Sequence, residues 1–203
     1  MALLFFSYGG SMISPTTELE AINTMLSTIG EAPISTVEDS GVVDAVMARQ
    51  LLRSVDREVQ ARGWHWNTDK GFLLLPTFPE KHIELPPTLL RIDSVLDSTN
   101  VDVVQRGKRL YDRRNHTYTF DAPIKVDMVV HLTFDELPEA ARQYITIRAA
   151  RIFQERVLGS LELSKFSTVD ETRALVTLKE MEADTADYNI LSDNYSVFRV
   201  LDR

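Results

Sequence analysis

Residues 17–63 alternate apolar and polar positions with the spacing of two amphipathic helices. Thr17, followed three residues later by Glu20, is a capping box in which each side chain accepts a backbone N–H of the first turn. Gly30, with Pro33 close behind, is typical of a helix end. The first helix is therefore predicted to bury one apolar face, made of Leu19, Ile22, Leu26 and Ile29.

The second helix is predicted to end at Gly63. Its buried face would contain Ala48, Leu52, Val55 and Val59. Its solvated face would contain Arg49, Arg53, Asp56, Arg57 and Arg62. Trp64 and Trp66 then alternate with His65 and Asn67, which is the period of a half-buried strand. We therefore expect a change from helix to strand at this point.

The middle of the chain, residues 64–134, consists of short extended runs separated by turn-rich pieces. The strands are predicted at residues 71–76, 82–85, 89–96, 101–105, 109–112, 118–120 and 125–134. In the last of these, apolar Val126, Met128 and Val130 alternate with Lys125 and Asp127, so one face is expected to be buried. This pattern predicts an antiparallel β-sandwich or small barrel.

Helical spacing returns after Asp135. A third helix is predicted to start near Pro138 and to end at Gly159. Its apolar side would contain Tyr144, Ile147, Ala150, Ile152 and Val157. A fourth is predicted to start after Ser167 or Thr168, because Thr168 and Glu171 have capping-box spacing. Its inward residues would be Val169, Ala174, Leu175, Leu178, Met181 and Ala183. Its solvated residues would be Glu180, Glu182, Asp184 and Asp187.

These elements predict an α+β fold with a discontinuous helical domain, residues 17–63 and 135–187, around an inserted antiparallel β domain, residues 64–134. None of the helices can bury its apolar face alone, so the helices from the two ends of the chain must pack together. Residues 1–16 are expected to be a flexible leader, and residues 188–203 a C-terminal assembly arm.

The amino-acid sequence of this chain resembles that of the tail tubular protein A family of short-tailed, Teseptimavirus-like phages. The resemblance is carried by TELEAINTMLSTIGEAPISTVED, ARQLLRSVDREVQARGW and NTDKGFLLLP, in that order and spacing. It extends more weakly through LYDRRNHTYTFD, FDELPEAARQYI, RAARIFQERVLG and DYNILSDN. The leader MALLFFSYGGS and parts of the β region differ from the sequence pattern of the family.

The resemblance implies a structural virion protein without a cofactor. Such a protein would form a dodecameric ring between the portal protein and the tail nozzle, a tail tubular protein B-like partner. The ring would line the channel through which DNA leaves, without sequence-specific binding, and the tail fibre is a further candidate partner. The implied location is the virion tail, after synthesis in the host bacterial cytoplasm.

Composition is compatible with this interpretation. A net charge of −8 disfavours a duplex-binding protein, which needs Lys and Arg to neutralise phosphates. An acidic wall would let DNA slide past, although ordinary solubility is the simpler explanation of the charge. The absence of cysteine excludes disulfides and fits folding in a reducing cytoplasm. No apolar run has transmembrane length, so membrane insertion is not expected.

The leader is apolar from its start, but no Lys or Arg precedes the apolar run and it is too short for a signal peptide. Met12 opens the sequence MISPTTELEAIN, so the first eleven residues could come from an upstream start; the alternative is an apolar arm that docks on a neighbour. In either case we expect a flexible or arm-like segment and not a folded element. Because a complete capped helix begins only at Thr17, we expect deletion of residues 1–11 to be tolerated.

Residues that could carry out chemistry are sparse. The four histidines, His65, His82, His116 and His131, form no zinc-binding motif, and we expect no catalytic, metal or cofactor site. One alternative is a tail-associated polysaccharide or peptidoglycan hydrolase, which needs two carboxylates on a rigid scaffold. Its candidates are Asp93, Asp97, Asp102, Asp112 and Asp121. A third interpretation is a helical protein-binding module.

Two groups of residues are predicted to contact other proteins. Arg49, Arg53 and Arg57 share one helical face and could pair with Glu180, Glu182 or Asp184 of a neighbour or of the same chain. The C-terminal arm has no helical period but many large apolar residues, so it would dock either on a partner or over the chain's own helices. Its candidate contacts are Tyr188, Ile190, Leu191, Tyr195, Phe198, Arg199 and Leu201.

Overall fold

The computed structural model describes residues 14–37, 41–95, 101–159 and 161–185. The helices of this part are α1 (Glu18–Ser27), α2 (Val43–Gln60), α3 (Glu139–Leu158) and α4 (Leu161–Thr185). The strands are β1 (Thr68–Leu74), β2 (Leu89–Ser94), β3 (Val103–Arg106), β4 (Arg109–Asp112) and β5 (Ile124–Val130). Helices from both ends of the chain thus flank a block of strands, and the predicted α+β class is confirmed.

The predicted cap at the start of the first helix and the predicted end of the third are also confirmed. The Thr17 N–H donates to the Glu20 carboxylate at 2.8 Å, and the Glu20 N–H donates to the Thr17 hydroxyl at 3.2 Å. Gly159 caps α3 in the left-handed region at φ 62°, a conformation that costs glycine little because it has no Cβ. These local signals fix where α1 begins and where α3 ends.

The four helices form one bundle in which α3 is central and packs against α1, α2 and α4. Each helix contributes fully buried apolar side chains to a shared core, which explains why the amphipathic helices are stable together. The largest of these side chains are Ile22, Met25, Leu26, Leu52, Tyr144, Ile145, Phe153 and Leu178. We refer to α1–α4 as the helical part.

The strands form two small antiparallel sheets. β1, β5 and β2 pair in that order, and β3 pairs with β4 in a hairpin. Both sheets contribute to one apolar cluster, so they enclose a common core as a sandwich does. Its members are Leu74, Ile83, Leu85, Leu89, Val103, Leu110, Phe120, Val126 and Met128. We refer to residues 68–130 as the β part.

A buried polar junction joins the two parts, with Gln60 at its centre. The Gln60 amide donates to the carbonyl of Leu132 at 2.9 Å and accepts the N–H of Leu132 at 2.8 Å. It also donates to Asp56 at 2.8 Å, and His131 Nε2 lies 2.9 Å from the other oxygen of Asp56. Asn67 donates to the Gln60 carbonyl at 3.0 Å. The end of α2 is therefore tied directly to the segment that follows β5.

Three of the predicted strands are wrong. His65–Asn67 is a 3₁₀ turn, because the Asn67 side chain accepts the Trp64 N–H at 2.8 Å and so closes the chain on itself. Residues 82–85 and 118–120 are not strands either, and Glu84 makes only an isolated bridge to Arg109. The strand predicted at residues 125–134 ends at Val130, and a 3₁₀ turn at Phe134–Glu136 leads into α3.

The predicted start of α4 is also wrong, since the helix begins at Leu161. Glu171 does not cap a helix start, because its carboxylate binds Arg148 and Arg151 of α3. Two acids predicted to be solvated, Asp56 and Glu182, are buried at 5% and 9% exposure. Three residues predicted to pack inward are instead exposed: Val157, Val169 and Ala183.

Asp56 is buried because it is part of the polar junction. Burial raises the pKa of its carboxyl, an effect that the hydrogen bond from Gln60 and the charges of His131 and Arg57 only partly offset. Glu182 is buried because its carboxylate accepts the backbone N–H of His65 at the start of the 3₁₀ turn. The last turns of α4 therefore also bind the 3₁₀ turn that follows α2, where the chain passes from the helical part to the β part.

Candidate assembly surfaces

The predicted interface arginines lie along α2, and two of them make contacts within the chain. Arg49 donates to the carbonyl of Val37 at 2.9 Å, and Arg53 pairs with Glu18 of α1 at 3.3 Å. Arg57 is exposed, and its charge acts on neighbouring Asp56. None of the ion pairs within the described ranges joins these arginines to the acids of α4. Two of the three arginines thus hold α2 in place, while Arg57 faces solvent.

The acids predicted to meet these arginines do not share one environment. Glu180 and Asp184 are exposed on α4, whereas Glu182 is buried against His65. Glu182 is therefore unsuited to a contact with a neighbour. The other predicted contacts, Tyr188, Ile190, Leu191, Tyr195, Phe198, Arg199 and Leu201, lie outside the described residues, as do residues 1–13.

The β part carries an apolar surface that the sequence-based prediction missed. Phe72 and Leu73 at the end of β1 are 46% and 50% exposed, and Leu75 and Phe78 just beyond the strand are 66% and 93% exposed. We call these four residues the β1 tip. β1 lies at one edge of its sheet, so the tip is at the margin of the β part. The four residues lie within seven positions of the chain, and exposed apolar residues that are close together mark contact surfaces more often than isolated ones do.

A sequence signal for the β1 tip does exist. Phe72, Leu73, Leu74 and Leu75 are apolar at four successive positions, whereas a strand that buries one face needs apolar residues only at alternate positions. Of the four, only Leu74 is buried in the core of the β part. The surplus of apolar residues over the alternating pattern predicts a second contact surface.

The helical part carries its own exposed apolar surface at the start of α2. Val42, Val43, Val46 and Met47 are all exposed, and Val43 reaches 71%. They border a groove of about 440 Å³ whose lining also includes Val37 and Arg49. Arg49, one of the predicted interface residues, therefore sits beside apolar surface and not in a purely polar region.

The carboxylates considered for hydrolysis have structural contacts. Burial opposes ionisation of Asp112, but hydrogen bonds from Asn115 and from backbone N–H groups lower the pKa of Asp112 overall. The pKa of Asp121 is lowered by its hydrogen bond to Lys81, which lies 2.6 Å away. Asp102 pairs with Arg113 at 3.8 Å, and Asp93 is exposed at the edge strand β2. Asp97 lies outside the described residues.

A glycosidase general acid must keep its proton near neutral pH, which requires a raised pKa. Asp112 and Asp121 have the opposite shift, and their contacts are with Asn115 and Arg114 of a turn and with Lys81, so neither favours the hydrolase interpretation. Across residues 14–37, 41–95, 101–159 and 161–185, no group of three or more His, Asp or Glu side chains is placed to hold a metal ion.

Among the described helices, none has both the length and the apolar content needed to cross a membrane. The described surface carries two groups of exposed apolar residues, the β1 tip and the start of α2 beside Arg49. Such features suit contacts between proteins better than turnover of a substrate.

Comparison with known proteins agrees with this chemistry. The profile of a family described as tail tubular protein matches residues 19–188, from the first turn of α1 to beyond the end of α4. The chain is also similar to tail tubular protein A of Klebsiella phage KP34, at 26% identity over 164 residues, which cover 80% of this chain and 86% of the relative. Since the family match spans most of the chain, the protein belongs to the tail tubular protein family and is a structural component of a phage tail.

Proposed function

We propose that the protein is an adaptor that forms a homo-oligomeric ring between the portal protein and the tail nozzle and lines the channel through which DNA leaves. The observation that carries the proposal is the β1 tip, an exposed apolar surface on a member of a structural tail family. Monomeric proteins rarely expose several large apolar side chains close together in the chain, as Leu75 and the 93% exposed Phe78 are here.

Burial of the β1 tip would supply much of the contact energy. Fully burying one exposed large apolar side chain contributes about 1.5–3 kcal/mol. Phe78 offers nearly this amount, and the half-exposed Phe72 and Leu73 offer about half of it each. In a ring, each subunit uses the same pair of surfaces toward its two neighbours, so one favourable contact is repeated until the ring closes. The apolar surface at the start of α2 is our candidate for a second contact.

Charged residues would orient these contacts. Arg57 is exposed on α2 and would bind an acid of a neighbour such as Glu180. Arg49 and Arg53 would bind such an acid in addition to their present partners. Exposed ion pairs of this kind contribute only about 0.2–1 kcal/mol each. The arginines would therefore set the register between subunits, and the apolar groups would supply the affinity.

Residues 188–203 would serve as the assembly arm. α4 is the last described element and ends at Thr185, so this segment continues from the end of the helical bundle. It contains Tyr188, Ile190, Leu191, Tyr195 and Phe198 within a short stretch. Burying these side chains against the portal or the nozzle would join the ring to the next component of the tail. Contact with the tail fibre is a further proposal of the same kind.

The charge of the protein suits passage of DNA. With a net charge of −8, the chain would not hold the phosphate backbone, so DNA could move through the ring without binding to it. We propose that the protein is made in the host bacterial cytoplasm and assembles into the virion tail there.

The test is to measure the mass of the purified protein alone, with portal protein and with nozzle protein, and to image the products. We expect rings and a complex with each partner. Leu75→Ser combined with Phe78→Ser should abolish the rings, whereas Val176→Ser, at a 48% exposed position of α4, should not. Rings that form normally without an apolar β1 tip would overturn its role, and a protein that stays monomeric with both partners would overturn the adaptor.

The assembly arm needs its own variant, a chain that ends after Ala186. We expect this chain to keep the melting temperature of the full protein and to lose binding to the portal or the nozzle. If the shortened chain unfolds or aggregates, the segment belongs to the core of its own subunit and the arm proposal fails. Incubation of the full protein with capsule polysaccharide and peptidoglycan serves as the control for hydrolase activity.

A further inference from the structure

A groove of about 460 Å³ lies between α1, α3 and α4 on the surface of the helical part. Its floor consists of small or branched apolar side chains, and its rim is formed by threonines and charged residues. The floor residues are Ala140, Ile147, Ala150 and Ala174. Pockets of roughly 300–1,000 Å³ accept a drug-sized molecule or a few large side chains, so the alanines leave room for an apolar segment.

The start of the chain is fixed beside one end of this groove. The Thr16 N–H and hydroxyl donate to the carboxylate of Glu139 at 2.8 and 2.6 Å. Arg142 donates to the Thr16 carbonyl at 2.9 Å. Gln143, which lines the groove, donates to the same Glu139 carboxylate at 3.0 Å. Thr16, near the beginning of the described structure, is therefore fixed next to the end of the groove that Ala140 and Gln143 form.

The contacts that fix Thr16 also keep Glu139 ionised. Burial opposes the charge, but the hydrogen bonds from Thr16 and Gln143 and the charge of Arg142 lower the pKa of the Glu139 carboxyl overall. The attachment is therefore a charge-assisted one, which is stronger than a hydrogen bond between neutral groups. It sets the position from which the leader starts.

The leader has the length and the composition to fill the groove. Its residues Leu3, Leu4, Phe5 and Phe6 form an uninterrupted apolar run, and residues 1–13 contain no charged side chain. The groove follows α3 from Ala140 to Arg151, which is about 16 Å at the rise of an α-helix. Thirteen extended residues span about 43 Å, so the apolar run can reach every part of the groove.

We infer that residues 1–13 dock in the α1–α3–α4 groove of their own chain and place the apolar run, Leu3 to Phe6, on its alanine floor. Attachment at Thr16 makes this docking intramolecular and keeps the leader at a high effective concentration beside the groove. Gly9 and Gly10 lie between the apolar run and the attachment, where they let the chain turn back toward α3. Because α1 has its own cap at Thr17, the fold does not require this docking.

The absence of cysteine in the chain gives a direct test by labelling. Thr177 is an exposed residue of the groove wall on α4, and Lys179 lies two residues further along the same helix, outside the groove. We expect Thr177→Cys to react with a maleimide at least about ten-fold more slowly in the full chain than in a chain that lacks residues 1–11. Lys179→Cys should react equally fast in both. Equal rates for Thr177→Cys in the two chains would overturn the inference.

A pair of cysteines distinguishes docking in the same chain from docking in a neighbour. Phe5→Cys combined with Thr177→Cys should form a disulfide within one chain, about ten-fold faster than Phe5→Cys combined with Lys179→Cys. A disulfide that forms only between two chains would show that the leader docks on another copy and would overturn the inference. A further variant replaces the apolar run with serine at all four positions, Leu3, Leu4, Phe5 and Phe6. We expect fast labelling of Thr177→Cys in this variant, and slow labelling would also overturn the inference.

Discussion

The helical part and the β part each contain a phenylalanine, and the two rings lie in opposite environments. In the helical part, Phe153 is 1% exposed and belongs to a core shared by all four helices. In the β part, Phe78 is 93% exposed and lies beside an edge strand of a small sheet. Both parts have a buried core and some exposed aliphatic groups, but the exposed surface of the β part also includes aromatic rings, Phe72 and Phe78, which a partner would cover.

The two parts also differ in how they use charge. On the helical part, Glu171 pairs with Arg148 at 2.5 Å and also binds Arg151, and the three side chains are at most 20% exposed. On the β part, Lys81 and Asp121 pair at 2.6 Å with side chains that are 54% and 90% exposed. The cluster of Arg148, Arg151 and Glu171 therefore holds α3 and α4 together, while the pair of Lys81 and Asp121 is screened by water and contributes little.

The largest test of this comparison uses the same change in each part. Phe153→Ala should lower the free energy of unfolding by about 3–5 kcal/mol, because it leaves a cavity in the helical core. Phe78→Ala should change it by less than about 0.5 kcal/mol, because that side chain contacts water. Urea unfolding of the unassembled protein measures both. A loss above about 1 kcal/mol for Phe78→Ala would show that the β1 tip packs against its own chain.

The second test breaks the junction between the two parts. Gln60→Leu should destabilise the protein by about 3 kcal/mol, because it leaves the N–H and carbonyl of Leu132 and one oxygen of Asp56, Oδ1, without their side-chain partner. Gln50→Leu, at an exposed position of the same helix, is the matched control and should be nearly neutral. Equal effects for the two variants would mean that the parts do not depend on this junction.

The third test concerns the charges between α3 and α4. Burial opposes the charges of Arg148 and Arg151, but their hydrogen bonds to Glu171 raise the pKa of both guanidinium groups. Glu171→Gln should therefore cost about 2 kcal/mol of stability, since it leaves two partly buried cations less well paired. Glu180→Gln, on the exposed side of α4, should cost less than about 0.5 kcal/mol. If Glu171→Gln leaves the free energy of unfolding unchanged, the contacts of Glu171 with Arg148 and Arg151 do not stabilise the packing of α3 on α4.

The sequence predicted the features that depend on neighbouring residues. The capping box at Thr17, the left-handed Gly159 and the strand Arg109–Asp112 all follow from short-range rules, and all are confirmed. The apolar faces of the first two helices are likewise correct in Ile22, Leu26, Leu52 and Val55, because helical period and burial agree there.

The features that the sequence mispredicted depend on distant residues. The run from Trp64 to Asn67 alternates as a strand does, but Asn67 reaches the carbonyls of Gln60 and Val130 and holds a turn. Thr168 and Glu171 have the spacing of a helix start, but Glu171 is taken by Arg148 and Arg151. No local pattern specifies such partners, since they come together only when the helices pack.

The candidate surfaces were predicted only in part. Arg57 is exposed, as a contact residue must be, while Arg49 and Arg53 already bind Val37 and Glu18. The β1 tip was missed because an apolar run was interpreted as a strand and not as a strand with surplus apolar residues. The predicted C-terminal contacts lie outside the described residues and stay predictions, as do the domain boundaries.

The smallest expected effect concerns the pH dependence of the junction. Burial raises the pKa of Asp56 above its ordinary value of 3.8, against the opposing effects of Gln60, His131 and Arg57. The folded state therefore binds the Asp56 proton more tightly than the unfolded chain does. The stability that this proton contributes is fully present below the unfolded pKa and is lost as the pH rises through the folded pKa.

Asp56→Asn should remove this dependence. The amide oxygen can still accept from Gln60, and the amide nitrogen can donate to unprotonated His131, so the contacts survive without the buried charge. We expect the variant to gain stability relative to the natural chain as the pH rises from 4 to 8, by at most about 1 kcal/mol. Urea unfolding at several pH values measures the difference, and Asp44→Asn in the first turn of the same helix serves as the control. If the natural chain instead gains on the variant with rising pH, the pairing with His131 outweighs burial, and the junction is held by an ion pair.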